Sequence, residues 1–115
     1  MPDENKSKEK ALSMLGLARR AGKLSMGHDM AEQALLKNKA QLLLFCSDAS
    51  QRLINEFNKT IEKHRINTRV IITDFTMGEI HFALGYKAAV FTVNDKNFSN
   101  RIIQLIIQEE NANGD

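Results

Sequence analysis

The side chains able to do chemistry are few and poorly placed for it. Three histidines, His28, His64 and His81, stand far apart in the chain, and none has a second ligand at zinc-like spacing, so a metal centre is not expected. Cys46, the single cysteine, ends the apolar run Leu42-Leu43-Leu44-Phe45 and reads as an inert buried thiol. Asp48, Asp74 and Asp95 each follow an apolar stretch, where the carboxylates of α/β enzymes often stand. Each also precedes a helical pattern, where aspartate is simply a good cap, and capping accounts for all three. There is no Gly-x-Gly-x-x-Gly or Walker-type loop. An enzyme reading therefore rests on the strand-end aspartates alone, and no cofactor is expected.

Binding needs less than catalysis. Lys23 to Asn38, KLSMGHDMAEQALLKN, reads as a short extended piece, a glycine turn at Gly27, and an amphipathic helix whose open N-terminal end faces outward. Free amides at such an end, with the positive pole of the helix dipole, attract phosphate or carboxylate. Gly27 permits close backbone approach, His28 and Asp29 offer polar side chains, Met30 offers a soft apolar wedge, and Gln33 one turn on can read a base edge. The competing reading places Met30 wholly in the core and leaves Asp29 only a cap.

Charge is distributed to suit an anionic partner. The chain carries a net +2, yet residues 1 to 39 hold eight Lys/Arg against five Asp/Glu, and the remainder is slightly acidic. A solvated basic face explains the same numbers, so charge alone does not choose. With a lone cysteine, no long apolar run and the polar start PDENKSKEK, the expected setting is cytoplasmic and reducing, without a membrane.

The elements that must position these residues follow from periodicity. Residues 1–8 read as a disordered leader, 9–108 as one domain, and 109–115 as a polar tail. The first helix starts near Glu9, carries Ala11, Met14, Leu15 and Ala18 inward, has Arg19 and Arg20 in its last turn, and stops at Gly22. Lys23 to Met26 fits an edge strand, and the helix from about Gly27 to Lys37 turns Met30, Ala31, Ala34 and Leu35 inward. Gln41 to Cys46 and Arg69 to Thr73 read as buried strands. Between them lies a helix with Leu53, Ile54, Phe57 and Ile61 at helical spacing, capped by Asp48 or Ser50. Thr76-Met77-Gly78-Glu79 has the form of a capping box, and Gly85 ends the short helix it opens. Ala88 to Val93 is a further strand, and Phe98, Ile102, Leu105 and Ile106 mark a last helix. Alternating helices and apolar strands predict an α/β chain built as a three-layer sandwich, a small sheet with helices on both faces.

Several strings in this order resemble a known family. Leu15 to Lys23 (LGLARRAGK), then Gly27, Leu42 to Phe45 with Asp48-Ala49-Ser50, Ile80 to Gly85, and Val93 to Phe98 are similar to the bacterial YlxQ-like branch of the L-seven-Ae ribosomal protein superfamily. The resemblance implies an α/β/α sandwich with a four-stranded mixed sheet, no enzymatic activity, and binding of structured RNA, with ribosomal RNA and ribosomal proteins as candidate partners and no DNA. Many such relatives grip kink-turns, sharply bent internal loops with sheared G·A pairs. Carried over, the RNA-contacting positions are Gly27, His28, Asp29, Met30 and Gln33, with Tyr86, Lys87 and Ala88 in the later loop and Lys37 further along the helix. Lys23 joins them as a nearby cation, and Tyr86 is placed to stack on an unpaired base. Kink-turn readers present Gly-x-Asn-Glu at this helix start and a lysine one turn on. Here Gly27-His28-Asp29-Met30 and Gln33 stand instead, and an ionised Asp29 accepts hydrogen bonds but repels phosphate. Those departures leave a second expectation open, a protein-interaction adaptor on the same fold.

Overall fold

Three segments are apolar enough to be covered on both faces or nearly so, and the structure, a computed structural model, stacks them as a sheet. It describes residues 3–114, with side chains described over residues 6–107. The order is α1 (Asp3–Arg20), β1 (Leu24–Met26), α2 (His28–Leu36), β2 (Leu42–Phe45), α3 (Gln51–His64), β3 (Arg69–Ile72), α4 (Met77–Leu84), β4 (Val90–Val93) and α5 (Lys96–Gly114). The strands lie in the order β1-β4-β2-β3, with β4 antiparallel to both β1 and β2, and β2 parallel to β3. The sheet is four-stranded and mixed, as expected.

Strand alternation decides which helices cover which face. From β2, Leu42 and Leu44 point into a core with Ala11 and Leu15 of α1, Ile80 and Leu84 of α4, and Ile102, Leu105 and Ile106 of α5. Leu43 and Phe45 point the other way, against Ala31, Ala34 and Leu35 of α2 and Ile54 and Phe57 of α3. Phe45 and Phe57 meet edge to face, their centroids 5.8 Å apart, the arrangement the ring quadrupoles favour. The three-layer sandwich is thus two cores sharing one sheet.

Boundaries and one strand differ from the sequence reading. α1 starts at Asp3, not near Glu9, because Lys8 finds acids to hold it: its Nζ lies 3.1 Å from Glu79 and 3.8 Å from Asp74. α5 runs on to Gly114, past the expected end of the domain at residue 108. Met1, Pro2 and Asp115 lie outside the described residues. β3 is not a buried strand but an edge, with Val70 and Ile72 exposed. An apolar run records composition, and only the strand order reveals that β3 has a neighbour on one side.

Candidate functional site

The end of α1 fixes the geometry of the site. Lys23 N–H donates to Ala18 O (2.9 Å) and Gly22 N–H to Arg19 O (3.0 Å), a Schellman pairing that needs the left-handed Gly22 (φ +74°). The chain then turns directly into β1, and Arg19 is left beside that strand. At the far end of β1, Gly27 N–H donates to Val90 O (2.9 Å), which ties the glycine turn to β4. Gly27 caps α2 with φ +88° and ψ 172° and supplies no side-chain acceptor. The first intrahelical bond runs from Ala31 N–H to Gly27 O. No protein acceptor is given to the amides of His28, Asp29 and Met30 among the described residues, and Asp29 and Met30 are exposed. The tip is therefore an open cradle of N–H groups at a positive helix end.

A cleft of about 440 Å³ adjoins it, lined by Arg19, Leu24, Ser25, Met26, Met30 and Tyr86. Met30 is 53% exposed and belongs to this surface, whereas Ala31, Ala34 and Leu35 alone make the buried stripe of α2. Tyr86 arrives from the loop between α4 and β4, which the left-handed Gly85 opens. Its hydroxyl lies close to the turn, and a Cβ at Gly27 would stand 3.7 Å from it, an ordinary contact. Glycine is required at position 27 by its backbone angles, not by crowding.

The remaining expected residues divide. Gln33 on α2 and Lys37 at its C-cap are exposed, and with Gln33 three residues beyond Met30 and Lys37 four further on they continue one strip of the helix surface. Lys23 and Lys87 are exposed near the cleft's two contributing turns. Ala88 is buried, and its carbonyl accepts the Cys46 thiol at 3.3 Å, so it shapes the loop from behind and presents no side chain to the surface. Arg19 is the residue sequence reading did not assign. The available signal was LGLARRAGK, which puts an arginine just before the turn into β1.

His28 faces away from the cleft, toward α3. Its Nδ1 bonds Asp29 Oδ1 at 2.8 Å, its Nε2 bonds Glu56 Oε2, and its ring meets Phe57 edge-on at 5.3 Å. The hydrogen bond to Glu56, then that to Asp29, raise the imidazole pKa above its usual value. With Glu32 one turn along α2, His28 and Glu56 form the group that could hold a cation, their ligand atoms lying within 4.8 Å of one another. Both carboxylates favour the protonated imidazole over the neutral one.

The other candidates serve the fold. Burial pushes the Cys46 thiol pKa up to about 12, helped by Asp48 and Glu79 nearby, which keeps it protonated and unreactive. Asp95 caps α5, accepting from Phe98 N–H at 2.8 Å. Ser50 caps α3, and Asp48 instead accepts from Met77 N–H (3.0 Å) at the start of α4. Asp74 pairs with Lys8. The capping box closes as the sequence implied, with Glu79 N–H on Thr76 Oγ1 and Thr76 N–H on Glu79 Oε1, each at 3.0 Å.

No protein-family model matches the chain. It is 29% identical to the RNA-binding protein YlxQ of Enterococcus faecium over 100 residues, 87% of this chain and 94% of that one. It is 27% identical to the RNA-binding protein YlxQ of Bacillus subtilis (strain 168), over 81% and 91% of the two chains. Among solved structures, a protein of unknown function from Bacillus halodurans C superposes with a TM-score of 0.72 at 27% identity, over 85% of this chain and 97% of that one. The Giardia lamblia 15.5kD RNA binding protein superposes with a TM-score of 0.65 at 13% identity, over 91% and 88%, a likeness of fold. In sequence and in fold, the chain resembles the YlxQ-like branch of the L-seven-Ae ribosomal protein superfamily.

Proposed function

We propose that this protein binds structured RNA without changing its covalent bonds, in the cytoplasm and in association with ribosomes or their assembly. The observation that carries the reading is the exposed tip of α2, where three amides without protein acceptors stand beside Arg19, Met30 and Tyr86. The similarity to proteins named for RNA binding supports the same ligand class. In this account the tip amides seat backbone phosphates, Arg19, Lys23, Lys37 and Lys87 attract them, and Tyr86 stacks on an unpaired base. Bases and phosphates suit a cleft that is half apolar and edged by cations. The carboxylate of Asp29 at the tip argues for a folded element other than the usual kink-turn, and Asp29→Asn should shift preference toward kink-turns.

Contacts to about three to five phosphates give a logarithmic salt slope of magnitude roughly two to four. Replacing Lys23 and Lys37 together with Gln should weaken binding to all RNAs alike and reduce that slope by about one per lysine. Unchanged affinity and slope in the double variant would remove this surface from the account. The adaptor reading draws on Val70 and Ile72 exposed along β3. A protein partner retained after nuclease treatment, with no RNA bound by the pure protein, would favour it.

A further inference from the structure

We propose a second nucleotide subsite in which Phe82 stacks an unpaired base and Arg20 holds a phosphate, so that single-stranded RNA leaving the α2 tip continues across the groove between α1 and α4. The inference rests on the RNA-binding reading above and extends it to a surface that reading does not use. Phe82 is 95% exposed, far more than any other large apolar side chain described. Its position explains why folding gains nothing from it: Ile80 and Leu84 face the core, and the residue midway between them on a helix points outward. A phenylalanine there contributes no packing, and a polar residue would satisfy the helix equally well.

The surroundings identify what it meets. Phe82 lines a groove of about 460 Å³ together with Ser13, Gly16 and Arg20, with Glu9 also on the wall. Gly16 has no side chain to raise the α1 wall, although a Cβ there would meet the α4 backbone at Ala83 only at an ordinary 3.9 Å. Arg20 makes no hydrogen bond or ion pair to another described residue, so its guanidinium is available to a ligand. Its sequence neighbour Arg19 lines the first cleft with Met30 and Tyr86. Two adjacent arginines, with Cα atoms about 3.8 Å apart, thus point one into each cleft and join them across the last turn of α1. A partner helix would need apolar anchors repeated every three or four residues. Beside Leu12, Ala83 and the Glu9 carboxylate, this groove offers one fully exposed aromatic ring, a hydroxyl and a cation, which matches one base and its phosphate.

The test uses the full chain and fluorescent stem-loops with a kink-turn or another bent internal loop, taking the one that wild type binds most tightly, with and without a single-stranded uridine tail of about six nucleotides at either end. Wild type should bind a tailed RNA more tightly than the untailed one. Phe82→Ala should abolish that gain, about tenfold, and leave the untailed RNA unaffected, whereas Phe82→Trp should retain the gain. Arg20→Gln should flatten the salt slope by about one for the tailed RNA only. A tail that adds no affinity to wild type, or a Phe82→Ala protein that holds tailed RNA as tightly as wild type, overturns the subsite while leaving RNA binding at the α2 tip intact. So does a Phe82→Ala protein that loses a nuclease-resistant protein partner but keeps the tail's contribution. Failure of wild type to bind any of these stem-loops, tailed or untailed, defeats the underlying reading, and the subsite with it.

Discussion

Gly27 offers the sharpest test of how the site is built, because two substitutions separate backbone strain from every other cause. At φ +88° and ψ 172° it occupies a region that side-chain-bearing residues essentially never enter, and holding one there costs about 1–3 kcal/mol. Space is not the obstacle, since a Cβ would meet Tyr86 Oη only at 3.7 Å. Gly85, at φ +75° and ψ 13°, is ordinary left-handed helix, which asparagine visits readily at a cost of about 1 kcal/mol or less. Gly27→Asn should therefore destabilise as much as Gly27→Ala, by about 1–3 kcal/mol, lowering Tm by roughly 3–15 °C for a chain of this size. Gly85→Asn should cost markedly less. Urea unfolding followed by circular dichroism, with unchanged m values, gives the three numbers. If Gly27→Asn proves no worse than Gly85→Asn, the turn relaxes freely and cannot be what aims the α2 amides.

Two further outcomes follow from the charges and caps. Thr76→Ala removes the hydroxyl that accepts from Glu79 N–H and should lower stability by about 1 kcal/mol in the same urea assay; a smaller loss than about 0.3 kcal/mol would mean Asp48 and Glu79 hold the α4 start unaided. His28 has a folded pKa raised first by Glu56 and then by Asp29, so its contribution is fully present below the unfolded value near 6.5 and is lost as pH rises through the folded value. The urea midpoint of wild type minus that of His28→Gln should accordingly be largest below about pH 6.5 and shrink as pH rises above it. A difference independent of pH would show that His28 is not charged against Glu56.

What the sequence determined by itself is local. Helix ends at Gly22 and Gly85, the capping box at Thr76 and Glu79, the cap at Asp95 and the inert Cys46 were all legible, because each depends on residues within a few positions or on an unbroken apolar run. Binary patterning likewise carried the α/β/α layering, since β2 can be apolar throughout only if helices cover both its faces. Tertiary structure decided everything that depends on which distant segments become neighbours. Only the turn into β1 and the α4–β4 loop bring Arg19, Met30 and Tyr86 into one cleft, and only the packing of α2 on α3 commits His28 to Glu56. The strand order alone exposes Val70 and Ile72 at an edge, and the pairing of α1 with α4 gives Phe82 and Arg20 a common groove. Sequence spacing reports periodicity along one element, whereas a binding surface is a set of distances between elements, and those are set by how two cores share one sheet.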